Sequence, residues 1–223
     1  MSSAREIANL RSIPTNGNIL LDFTAGDALE SGGTCNIAAG LNALGAATTG
    51  DDNIALGRLA LGAGTLTGGV NIAIGATAGD AITSGACNIA IGLNALGAAT
   101  DNCDNIAIGQ SALVASVNDG DQNVAIGKAA MSAGDVSGFT NVAIGTDALK
   151  GVTTGSRNVA IGDCALGGAT VTACHNVALG TYAADALTSG ACNIALGLNA
   201  LGAATDNCDN IAIVSFAIVS QFL

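Results

Sequence analysis

Large and small apolar residues alternate in a short word, Asn-[Ile/Val]-Ala-[Ile/Leu]-Gly, that recurs down the chain. Its asparagine falls at Asn36, Asn53, Asn71, Asn88, Asn105, Asn123, Asn141, Asn158, Asn176, Asn193 and Asn210. A degenerate first copy, Asn-Ile-Leu-Leu-Asp, begins at Asn18, so there are twelve copies spaced by 17 or 18 residues. Alternation with β-branched residues predicts a short strand at each word. Glycine, at the fifth position of nine of the ten copies from Asn53 to Asn210, predicts the sharp turn that ends it. Counted from the Asn, the eighth position is Ala in every copy and the ninth is usually Leu, which predicts a second short extended segment. The thirteenth is often Thr, at Thr48, Thr65, Thr83, Thr100, Thr153, Thr170, Thr188 and Thr205.

A unit of this length is too short for a helix pair and suits one coil of a repeat array. The chain is therefore read as all-β, a parallel β-solenoid of about twelve coils, stacked at ~4.8 Å into a rod on the order of 55 Å long. A hexapeptide β-helix needs a multiple of six residues per coil, and the alternation of 17 and 18 argues against it. Residues 83–108 recur as 188–213 with only Ile91 replaced by Leu196, a lag of six copies that reads as block duplication. Residues 18–209 form the solenoid in this reading. Residues 1–17 are a cap or docking segment. The apolar stretch 210–223 is a last coil that caps the rod or serves as an assembly end through Ile211, Ile213, Phe216, Ile218 and Phe222.

Stacked coils place identical side chains on one another, so the eleven asparagines from Asn36 to Asn210 are expected to form an amide ladder. The second and fourth positions of the word share one side of the strand and the third takes the other. With the larger side chains inward (Ile89 and Ile91 in the copy from Asn88), the stacked alanines form a smooth apolar outer stripe. Such a stripe marks an interface, so self-association is expected.

Composition fits a narrow roll. Half of the 223 residues are hydrophobic, yet only 2% are aromatic; there are 32 Gly, one Pro and no Trp. Half-apolar composition does not fit disorder, and glycine lacks the three-residue period of collagen. Six basic residues against seventeen acidic ones, a net charge of −11, argue against phosphate and anionic-membrane partners. No apolar run reaches membrane-spanning length, and no secretory leader is visible at the start.

The word Asn-[Ile/Val]-Ala-Ile-Gly-x-x-Ala-Leu, over roughly residues 18–213, resembles the head repeats of YadA-type trimeric autotransporter adhesins. It is also similar to repeats of phage and viral tail-fibre proteins. The resemblance implies a left-handed β-roll, three of which pack around a threefold axis. The adhesin coil is shorter, and no heptad stalk or anchor domain accompanies the repeats here, which favours a fibre-like or self-assembling relative.

Candidate chemistry is sparse. Seven cysteines include Cys87 with Cys103, and Cys192 with Cys208, at nearly the same turn of neighbouring coils. That separation is within disulfide reach, so both pairs are candidate staples. His175 beside Cys174 lacks the spacing of a metal motif. The acidic turns Asp101–Asp104, Asn118–Asp121 and Asp206–Asp209 are candidate calcium sites but match neither the EF-hand nor the nonapeptide calcium pattern. One His and two Glu on a repetitive surface imply no catalytic pocket. No cofactor or enzymatic activity is expected. The leading expectation is a structural or adhesive fibre module, homotrimeric, in a phage, virion or cell-surface appendage, with itself and a host or cell-surface receptor as partners. An end-to-end filament is the alternative. A third reading, ice binding on the Thr column, is weakened by Val117 and Asp135, which interrupt that column.

Overall fold

The computed structural model describes residues 16–213 except 23, 30–31, 117–119, 133–135 and 169. The proposed cap 1–17 is thus described only at 16 and 17. Phe216, Ile218 and Phe222 lie outside the described residues.

Each repeated word is a strand. β1 (Ile19–Leu20) and β2 (Ile37–Ala39) are followed by β3 (Ile54–Leu56), β4 (Ile72–Ile74), β5 (Ile89–Ile91) and β6 (Ile106–Ile108). Then come β7 (Val124–Ile126), β8 (Val142–Ile144), β9 (Val159–Ile161), β10 (Val177–Leu179), β11 (Ile194–Leu196) and β12 (Ile211–Ile213). They form one twelve-stranded sheet in chain order. Pairing is parallel and column-true: Ile89 lies opposite Ile106, Ala90 opposite Ala107 and Ile91 opposite Ile108. The molecule is an all-β solenoid.

Hydrogen bonding between coils continues around the turns. The N–H of Leu59 donates to the carbonyl of Leu41 in the preceding coil, and that of Leu61 to Ala78 in the following one. This alternation comes from backbone that swings in and out of the left-handed region. From the second coil on, the residue before each Asn and the seventh take positive φ without being glycine, and so does the ninth except at Gly79, as at Cys87 (59°), Asn94 (57°) and Leu96 (49°). Such residues are strained when isolated; here each turn is held by the coils above and below. The fifth position does require glycine. At Gly109 φ is 132°, and a Cβ there would sit 2.4 Å from the carbonyl oxygen of Gly127 in the next coil.

The interior reverses the expected sidedness. The third-position alanines, from Ala38 to Ala195, are fully buried, and the flanking Ile and Val side chains of the same strands lie on the outer surface. The core is built from these alanines, the eighth-position alanines and the ninth-position leucines Leu44, Leu61, Leu96, Leu113, Leu149 and Leu166. Met131 takes the same place in its coil. Leucines reaching across from the far wall fill the space above the strands, so only a methyl group fits beneath them. Further along the coil a second apolar column, including Leu66, Ile82, Val136, Val152, Val171 and Leu187, closes the roll.

Candidate interaction face

The asparagine at the first position shares the inward side of its strand with the third-position alanine, and Asn18 to Asn193 are all buried. The side-chain oxygen of Asn71 accepts the backbone N–H of Asn88 at 3.0 Å and its amide N–H at 3.0 Å. The Asn88 amide also donates to the carbonyl of Asn102 at 2.7 Å, fourteen residues on, which ties the two ends of one coil together. The same arrangement runs through Asn141, Asn158 and Asn176 to Asn193 and Asn210. These amides are fully used, so the asparagine column is a structural spine.

On the opposite side of the sheet stands a broad apolar face. Second-position Ile and Val and fourth-position Ile and Leu form two straight columns, half-buried by the coils above and below; Ile74 is 37% and Leu179 47% exposed. By strand geometry the face is on the order of 55 Å long and 10 Å wide. Its area is at the upper end of what monomers leave uncovered. The regularity of the columns is broken at Ala39, where the fourth position is small.

Two exposed rims bound the face. One is the column just before each Asn, among them Asp52, Val70, Cys87, Asp104, Arg157 and Cys192. The other is the sixth position, just past the glycine, with Leu41, Arg58, Leu93, Lys128, Asp163 and Leu198. Leu41, Leu93 and Leu198 are half exposed and extend the apolar surface over the rim.

Neither candidate disulfide forms; all seven cysteines are free thiols. The register explains this. The N–H of Asp104 donates to the carbonyl of Ala86, so Asp104 stacks on Cys87 and Cys103 stacks on Ala86. The paired thiols are therefore one residue out of step and leave the backbone in different directions. Cys103 and Cys208 donate S–H to carbonyls two residues back, those of Asp101 and Asp206. Cys164 sits beneath Tyr182; burial, then the charges of Asp163 and Asp147, push its thiol up from the usual value.

Among the described residues no three His, Cys, Asp or Glu side chains converge as a metal site. Asp51 and Asp121, in the column two before the Asn, accept the backbone N–H groups of Thr34 and Cys103 at 2.7 Å. The Thr34 N–H and hydroxyl hold the Asp51 carboxyl below its ordinary value. Residues 118 and 119 of the second acidic turn lie outside the described residues.

The threonine column is more regular in space than in sequence. The 18-residue coils from Asn53, Asn123 and Asn158 carry two more residues before this corner and one fewer after it, so Thr67, Ser137 and Thr172 stand in line with Thr83, Thr153 and Thr188. Their hydroxyls donate onward to the next coil: Thr83 to the carbonyl of Thr100 and Thr188 to that of Thr205, both at 3.0 Å. No helix of the described residues is long and apolar enough to cross a membrane. The chain matches no family model, no curated protein and no solved structure.

Proposed function

We propose that the chain is a non-enzymatic structural module of a fibre or surface appendage, whose rods associate side by side, three to a particle as the adhesin-like word implies. The observation that carries this reading is the two-column Ile/Val and Ile/Leu face between its exposed rims. Covering it would remove apolar area worth ~25 cal/mol per Å². A second copy is the natural cover, because it repeats the same columns at the same rise and so stays in step along the whole rod. The expected contact stripe of alanine is thereby replaced by one of isoleucine and valine. In this reading adhesion or display falls to the turns away from this face, and the asparagine spine supplies rigidity.

Negative-stain electron microscopy of the purified chain tests this. Discrete rods about 55 Å long and wider than a single roll support it. Long unbranched filaments would favour end-to-end assembly instead, and slender single rolls at high concentration would overturn the reading.

A further inference from the structure

We propose that the copies lie parallel and in coil register, with the rim before the Asn of one copy against the sixth-position rim of its neighbour, and that two oppositely oriented charge pairs set this register. The inference rests on the side-by-side reading above. Rotation about an axis along the rod always brings opposite rims of the face together. In register, each residue before an Asn then meets the neighbour's residue six positions further on in the same coil.

Charge complementarity argues for this arrangement. At β3, Asp52 meets Arg58; at β9 the signs are reversed and Arg157 meets Asp163. All four side chains are exposed. Within one chain each pair is separated by the width of the strand, and among the described residues the ion pair is Lys150 with Asp147. Arg157 is held in place by stacking on Phe139, 4.9 Å from the ring centre. Of the other charged rim residues, Asp104 meets Gln110 and Lys128 meets Gln122, while the counterpart of Asp209, Ser215, lies outside the described residues. Where one rim carries an exposed leucine the other carries a small apolar thiol, as with Leu93 and Cys87. No like charges meet. A slip of one coil in either direction takes both charge pairs apart and in one direction gains only Asp104 with Lys128; a slip of three coils also loses both pairs, setting Asp104 against Asp163 in one direction and against Arg58 in the other. An antiparallel pair centred on β6 would match Asp52 with Arg157 but place Asp104 on its own copy.

Charge reversal in the full chain, read by sedimentation velocity, tests the register. Asp52→Arg puts like charges together at every contact and is expected to weaken association by at least about tenfold. Asp52→Arg with Arg58→Asp is expected to restore it to within about twofold, and Asp52→Arg with Arg157→Asp is not. Rescue by the second combination alone, or no effect of Asp52→Arg, overturns the register. A monomeric wild type would instead sink the side-by-side reading itself. Independently, Leu93→Cys should form an oxidative link between copies that is lost with Cys87→Ala; no such link in an oligomer overturns the proposal.

Discussion

Asn53 holds Asn71 twice: its side-chain oxygen accepts the Asn71 backbone N–H at 2.9 Å and the Asn71 amide at 3.1 Å. The amide of Asn71 passes the tie on to the carbonyl of Gly85 at 2.9 Å, closing its own coil. One side chain thus satisfies the coil above and the seam beside it, with no water needed.

Removing a rung in mid-rod should therefore cost more than a single hydrogen bond. Asn141→Leu deletes the acceptor used by both Asn158 donors and the donor to Gly155. Buried groups left without partners cost about 1–3 kcal/mol each, so a loss on the order of 3 kcal/mol is expected in urea unfolding. A loss below about 1 kcal/mol would show that the ladder is decorative.

Sidedness gives a second expectation. Ala125→Val adds bulk to a fully buried position beneath the leucine layer and should cost about 1–3 kcal/mol. Ile126→Ala, one residue on and half-buried, should cost the isolated chain less. The opposite ranking would put the isoleucines back inside.

The period, the strands and the asparagine ladder were legible because each is a column of identical residues, and stacking turns a column into a structure. Sidedness misled because Ile is more apolar than Ala. Yet the deciding clue is in the word itself: a buried Asn88 and Ala90 are two apart on a strand and must share a face. The thiol pairs failed on a one-residue offset between Cys87 and Cys103. The threonine line was hidden because sequence counting runs forward from the Asn, whereas coils such as Asn53–Val70 carry two more residues before the corner at Leu66 and Thr67 and one fewer after it. Rim pairing between Asp52 and Arg58 needed the face to be known first.

Two carboxyls should move stability with pH in opposite senses. Asp51 is held low by Thr34, so its contribution is present above 3.8 and is lost as pH falls below that through its folded value. The melting-point deficit of Asp51→Ala should shrink in that acid range. Burial raises the Asp80 carboxyl from 3.8, so its charge destabilises the fold as pH rises through the raised value. Asp80→Asn should be more stable than wild type at neutral pH, with the gain vanishing below pH 3.8.

Thiol chemistry follows the register. Titration of the unfolded chain without reductant should find seven free thiols. In the folded chain, Cys35, Cys87, Cys192 and Cys208 are exposed, while Cys164 is partly covered and held protonated by burial and two aspartates. Alkylation followed by peptide mass mapping should label the exposed four first and Cys164 later. Early labelling of Cys164, or a native disulfide between Cys87 and Cys103, would contradict the coil stacking.

The most direct measurement of the central claim is the solution mass, by light scattering, of wild type and of the double variant Val142→Glu with Ile144→Glu, both outward-facing positions on β8. Wild type is expected at the mass of three chains. The variant is expected at the 21.3 kDa of one chain, with its β circular dichroism unchanged. A wild type that is monomeric, or a variant that keeps the wild-type oligomer, would contradict the claim that this face joins the rods.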